Sequence, residues 1–421
     1  MSEAQTAMGW GKVKRRLLEA MLMFGPGLYS RWSMQRSTGT PAEVPSTERP
    51  RVLLVDHDFP EIDRDAGSRA ISCFADLLVD AGMEVVFWSA TIEPSAAGRA
   101  ALEGRGITPL SRRETGALDG WLATFGGSFI GSVSSRPLIA AMYLPVLRAA
   151  IAGTHLYYGH DIHYVRLQLM RATSKATLAD HWQCLLMRVV EQRAWRNADV
   201  VLYPSKDEAE TVNRYLADRG LAGNGEMFPL WTVDAGSMQH TPGPGKRSGL
   251  LFVGSMAHAP NADGLDWFLH KVLPLLQRGG QAPVLTVVGS GMENYRVPQH
   301  ASDTVRILGR IDDAALERCY ASTRLVIAPL RFGGGVKGKV IEAIGQGVPI
   351  ILTGAAAQGL AGVEDILPTT DDPSKFAAAI QALDQDDQAW SAASTKARLF
   401  LAEHYDHRQF VQRLRHLLLH S

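Results

Sequence analysis

Cysteine is scarce. The chain has three, Cys73, Cys184 and Cys319, far apart and without a CxxC pair. That spacing excludes a disulfide framework and a cysteine-built zinc site, and favours a reducing compartment. Net charge is also absent, with 43 Lys+Arg against 43 Asp+Glu, so a dedicated nucleic-acid partner is not expected. No apolar run approaches the roughly 18–20 residues of a membrane span, and no repeat recurs at solenoid periods. The first strand–helix turn holds one glycine, Gly67, where a dinucleotide fingerprint needs GxGxxG. At 421 residues, one core rarely grows that large, so two domains are expected.

The chain has instead one dense glycine stretch, Arg331 to Pro349, reading RFGGGVKGKVIEAIGQGVP. An apolar strand, Arg324–Leu330, leads into Gly333, Gly334 and Gly335, then Val336 and Lys337. A helix follows with Lys339 and Glu342, and a second strand begins at Ile350. Glycines let backbone N–H groups approach a phosphate, and a helix N-terminus adds partial positive charge. Lys339 and Glu342 are three apart and share a helix face. Ammonium to diphosphate and carboxylate to ribose is the chemistry they suit.

Elsewhere the pattern alternates strand and helix. Val52–Asp56, a helix after Gly67, and Glu84–Ser89 form a βαβ unit. Tyr157–His163 places His160, Asp161 and His163 where a strand should end, with Arg166 one turn on, a position that suits ligand contact. The alternative for both histidines is a structural role. Asp56–His57–Asp58 spells DxD, a metal-carboxylate pattern short enough to arise by chance at a strand end, and no metal is expected. Pro242–Lys246 has linker composition. A second strand–loop–helix series then runs through Gly254–Ser255, Gly289 and Gly309–Arg310, and closes on one helix over Ala389–Leu414. The divisions read as an extension over 1–49, a first domain over 50–240, a second over 241–400, and a terminal helix over 401–421 that packs back on the first domain. In the extension, residues 10–36 combine Lys12, Lys14, Arg15 and Arg16 with apolar residues and Trp10, Tyr29 and Trp32. They read either as an amphipathic helix on an anionic membrane surface or as an appendage with a solvated basic face. The expected location is cytoplasmic, peripheral to the inner membrane face in the first case.

The segments LLFVGSMAHAPNADGLDWF, VVGSG, VRILGRIDD and APLRFGGGVKGKVIEAIGQGVP, in that order, resemble the retaining GT-B glycosyltransferases of the "group 1" family. DHDFPEIDRDAGSR and YYGHDIHYVR resemble its N-terminal half, so the likeness runs from about Arg51 to the C-terminus. It implies an α/β fold of two Rossmann-like doubly wound domains facing across a cleft. It also implies a nucleotide-sugar donor held by the second domain, a glycan or lipid-linked acceptor held by the first, and no required cofactor or metal. By position, Glu342 would bind the ribose, Lys339 would face the diphosphate and Gly254 would let the backbone near the phosphates. His160 would touch the donor sugar. Ser255, Gly289, Arg310, Arg331 and the loop from Gly333 to Lys337 complete the implied donor side. Asp65, Gly67, Asp161, His163 and Arg166 are the acceptor-side candidates.

The sequence departs from the family pattern in two places. The first acid of its E-x7-E motif falls at Gly334, and Ser255–Met256 replaces the usual basic pair after the first strand's glycine. Arg331, Lys337 or Arg310 would then supply the positive charge, with Gly333–Val336 N–H groups in place of the acid. The missing acid keeps open a catalytically inactive GT-B protein that only binds nucleotide sugars. A GT-B epimerase or phosphorylase is weaker still. A P-loop NTPase also reads from Gly333-x4-Gly338-Lys339, but Val340 occupies the Ser/Thr position that would hold Mg²⁺.

Overall fold

The computed structural model describes residues 42–44, 48–62, 66–172, 177–234, 242–280 and 282–420. Asp65 and the basic aromatic stretch 10–36 lie outside these residues. The chain divides into two compact units. One comprises residues up to Leu230 together with Gln409–Ser421, the other Trp231–Arg408.

The first unit is a seven-stranded sheet in the order β3-β2-β1-β4-β5-β6-β7, parallel at every pairing. Its strands are β1 (Arg51–Asp56), β2 (Glu84–Ser89), β3 (Thr108–Ser111), β4 (Gly131–Ser135), β5 (Thr154–Tyr158), β6 (Val200–Tyr203) and β7 (Asn224–Met227). All six residues of β1 are buried, as in a parallel strand covered on both faces. The helices used below are α1 (Ala66–Asp80), α2 (Pro137–Ala150), α3 (His163–Ala172), α4 (Leu178–Asn197) and α5 (Lys206–Ala217). On α1, the helical spacing of Ala70, Ile71, Phe74, Leu77 and Leu78 becomes a fully buried face.

The second unit is a five-stranded parallel sheet in the order β10-β9-β8-β11-β12. Its strands are β8 (Ser248–Val253), β9 (Leu285–Val288), β10 (Val305–Gly309), β11 (Thr323–Ala328) and β12 (Ile350–Leu352). Its helices include α6 (Ala259–Trp267), α7 (Gly338–Gly345) and α8 (Asp387–His404); α9 (His407–Leu419) follows. The chain after α6 passes through a π turn, Phe268–Val272, before it resumes as an α-helix over Leu273–Arg278. Pro274 explains the turn: it has no N–H for the carbonyl four residues back, and the register opens by one.

The single helix expected over Ala389–Leu414 is two helices, broken at Tyr405–Asp406. Val233 causes the break. Its N–H donates to the Tyr405 carbonyl at 2.9 Å and its carbonyl accepts the His407 N–H at 2.9 Å. An extended chain thus takes the backbone groups that a continuous helix would have used. Beyond the break, α9 joins the first unit: Arg413 Nε donates to Glu226 at 2.8 Å, and Arg415 donates to the Ala81 carbonyl at 2.9 Å.

In both sheets the strand order reverses beside the first strand, between β1 and β4 and between β8 and β11. In parallel α/β sheets, the loops past the C-terminal strand ends at such a reversal form a crevice that takes ligands.

Candidate functional site

In the second unit the reversal is filled by the glycine stretch. Strand β11 ends at Ala328, and a loop runs to Lys337 before α7 starts. Gly338 begins that helix because nothing larger fits: a Cβ there would lie 2.9 Å from the Trp231 ring. Lys339 and Glu342 follow on one turn. Lys339 is half-buried, donates from Nζ to Asn261 Oδ1 at 2.6 Å, and lies 5.0 Å from the centre of the Phe252 ring. Burial, helped by the neighbouring Lys337 charge and opposed by Glu342, brings the Lys339 ammonium down to about 7. Glu342 sits beside Tyr320, whose phenol is pushed up by burial and then by that carboxylate.

Asn261 also donates to the Ser255 carbonyl at 3.0 Å, which ties Lys339 to the loop after β8. The β8 and β9 loops touch there. Gly289 has φ +147°, and a Cβ on it would lie 1.9 Å from the Gly254 carbonyl oxygen. Ser290 Oγ donates to Ser255 Oγ at 2.9 Å. Gly254, Ser255, Asn261, Gly289 and Lys339 are therefore one assembly, with Glu342 one helical turn away.

Other donor-side candidates are engaged differently. Lys337 Nζ donates to the carbonyls of Gly333, Gly334 and Gly335 at 3.4, 3.1 and 2.5 Å. It holds the loop in shape from inside. Val336 is buried. Arg331 forms a two-pronged ion pair with Asp263, Nε to Oδ2 at 2.8 Å. Arg310 is exposed just past β10.

In the first unit the reversal gathers Asp56, Arg136 and His160. Asp56 ends β1 fully buried. Its carboxylate takes the Arg136 Nε–H at 3.1 and 3.3 Å and the His57 N–H at 2.6 Å. Burial alone would raise its pKa; Arg136 and His57 hold it at about 2. Arg136 has φ 66°, the one positive φ of a non-glycine residue among the described residues. Such a conformation costs about 1–3 kcal/mol and clusters at functional sites. His160 follows β5, its Nε2 3.3 Å from Ser135 Oγ. Burial, then the nearby Arg136 charge, pushes it down to about 4, so the ring is neutral. The DxD pair is already used by the protein. Asp58 Oδ1 accepts the Phe59 N–H at 2.8 Å and the Ser95 N–H at 3.1 Å, and no group of three or more metal-capable side chains occurs among the described residues.

The remaining acceptor-side candidates form a second knot at the start of α3. Asp161 pairs with His163 Nδ1 at 3.0 Å and with Arg166 Nη1 at 2.7 Å. Two further carboxylates, one buried and one half-buried, reach the same turn. Glu191 of α4 accepts the His163 and Tyr164 N–H groups at 2.8 and 2.9 Å, and Glu208 of α5 accepts the Ile162 N–H at 3.1 Å. These three N–H groups would otherwise lack partners, and carboxylates favour a helix N-terminus. Burial raises both acids to about 7. Gly67 lies in the first turn of α1, away from these contacts. Asn261, Arg136, Glu191 and Glu208 were not expected as site residues. The sequence signal for Glu191 is an acid beside Val189 and Val190 on a helix, and for Glu208 it is the Ser205-x-x-Glu208 spacing at a helix start; for Arg136 and Asn261 there is none.

Residues 247–386 match the family model "Glycosyl transferases group 1". A segment of 116 residues is 24% identical to an uncharacterized 44.6 kDa protein in the cps region of Klebsiella pneumoniae, covering 26% of this chain and 30% of that relative. The fold is similar to sucrose-phosphate synthase from Thermosynechococcus elongatus (TM-score 0.61, 15% identity, 87% of this chain and 97% of that one). It is also similar to HepE from Anabaena, solved with UDP and glucose (0.60, 14%, 88% and 100%), and to TarM from S. aureus, solved with UDP and α-GlcNAc-glycerol (0.62, 10%, 88% and 100%). The chain thus has the GT-B fold of these structures, and residues 247–386 within its second unit match the group 1 glycosyltransferase model.

Proposed function

We propose that this chain is a retaining, metal-independent glycosyltransferase. It moves a sugar from a nucleotide-sugar donor to a hydroxyl of a glycan or lipid-linked acceptor, in surface polysaccharide or glycoconjugate synthesis. One observation carries the donor reading: Lys339 and Glu342 stand on one turn of α7, tied through Asn261 to the touching loops at Gly254 and Gly289. The ligands in the HepE and TarM complexes support a nucleoside diphosphate sugar, and the cps-region relative supports the polysaccharide setting.

The hard step in glycosyl transfer is the departure of a nucleoside diphosphate with growing negative charge. Cations and N–H groups aimed where that charge forms are worth about 3–4 kcal/mol per good donor. Lys339 and the α7 N-terminus supply them here. In the mechanism we propose, the acceptor oxygen bonds the anomeric carbon on the face the diphosphate leaves, and the acceptor proton passes to the departing phosphate oxygen. No enzymic nucleophile is consumed. Neutral His160 contacts a sugar hydroxyl beside the Asp56–Arg136 pair. Glu342 holds the ribose. NMR of the product tests the stereochemistry: the donor's anomeric configuration is expected, and an inverted product overturns the mechanism.

A second reading has its own observation. The loop that lacks the acid at Gly334 also turns three carbonyls onto Lys337. A protein that binds nucleotide sugars without transfer or hydrolysis would fit that loop, and the same NMR assay would then show donor unchanged.

A further inference from the structure

Helix α4 has two apolar faces. Cys184, Met187, Val190 and Ala194 are buried in the core of the first unit. A second stripe points outward: Leu178 is 81% exposed, Trp182 61%, Leu185 49% and Val189 38%. At about 100° per residue these four fall within a strip roughly 60° wide over three turns. The same projection puts His181 and Arg188 along one margin and Arg193 along the other, with Arg196 continuing the strip. The projection puts the helix's two acids, Asp180 and Glu191, on the opposite side. Glu191 is fully buried on the opposite side, and Asp180 folds back onto Thr177, accepting its N–H at 2.8 Å. The exposed face is thus an apolar strip with an exposed tryptophan and basic margins.

We infer that the outward face of α4 docks on an anionic lipid bilayer. Apolar side chains enter the headgroup boundary, the tryptophan sits at its level, and arginines at the margins meet anionic headgroups. The charge pattern selects this occupant over a second copy of the chain, because a self-paired face would bring its own arginines together. Helix α3, whose first turn holds His163, packs directly on α4, so docking would bring the acceptor-side residues toward the membrane. That consequence rests on the lipid-linked acceptor reading above; the docking itself does not.

The test is flotation of the full chain with vesicles of phosphatidylcholine alone or with phosphatidylglycerol, at low and high salt. Wild type is expected to float with the anionic vesicles, and less so at high salt. Trp182→Ser with Leu185→Ser, both exposed, should reduce the bound fraction at least tenfold with an unchanged melting temperature. Arg188→Gln with Arg193→Gln should weaken binding to anionic vesicles only. Three outcomes overturn the inference: no flotation of wild type; equal flotation of the Trp182/Leu185 variant, which would assign binding to another segment such as residues 10–36; or a wild-type dimer that the variant converts to monomer. Nucleotide-sugar binding, measured separately on the same variants, should not change, so failure of docking and failure of the donor reading are distinguishable.

Discussion

Lys339 carries a conflict between stability and function. Its ammonium is brought down from 10.5 to about 7 by burial. The unfolded chain therefore binds more protons between those values, and stability rises with pH through that window. Below pH 7 the full cost is present, on the order of 3–5 kcal/mol. Lys339→Met removes this cost but leaves Asn261 Oδ1 without its partner, a loss of about 1–3 kcal/mol. The first effect is larger. The unliganded variant should melt higher than wild type at pH 6, and it should bind no nucleotide sugar. A bound diphosphate would pull the Lys339 pKa back up, so binding at pH 8 should take up close to one proton. Calorimetry in buffers of different ionisation enthalpy measures that uptake in wild type, and the variant should show no binding heat in any of them. Gly289→Ala tests the touching loops. With φ +147° and a backbone oxygen 1.9 Å from the new Cβ, it should cost more than 2 kcal/mol in denaturant unfolding.

At the scale of elements, the start of α3 is capped by side chains from two other helices. The raised pKa values of Glu191 and Glu208 mean that the native state holds extra protons between about 4.5 and 7. Stability from this pair falls as pH rises through that window, the sense opposite to His160, whose lowered pKa makes stability rise between about 4 and 6.5. His155, also lowered by burial, acts in the same sense as His160. Glu191→Gln removes one of the two opposing acids, so it should make the slope of stability against pH more positive in urea titrations at pH 5, 6 and 7. This cluster also shows what the sequence could reveal. That Lys339 and Glu342 share one helix turn was legible because the relation is local: three residues apart, after a glycine loop. Asn261 is 78 residues from Lys339, and Arg136 is 80 from Asp56. Those pairings are made by sheet order, which short-range pattern does not contain. The break at Tyr405 escaped for the same reason, because its cause is Val233, far away in the chain.

The whole molecule is two parallel sheets built on one plan, each with its polar residues gathered where strand order reverses. That plan was readable from the alternation of buried runs and helical periods, since a parallel strand is apolar along its whole length. The division at Leu230 was less so, because the composition shift lies near Pro242–Lys246, a short turn leading into β8. In the function proposed above the second unit binds the nucleotide, and a ligand that binds only the native state raises its stability by about 2.7 kcal/mol at a hundredfold excess over Kd. The most direct measurement is a thermal-shift screen of wild type and Glu342→Ala against UDP-, GDP-, ADP- and TDP-sugars. We predict that at least one donor raises the wild-type melting temperature and that Glu342→Ala abolishes or strongly reduces the rise. An undiminished rise in Glu342→Ala, or no rise in wild type with any of the four, would contradict the account.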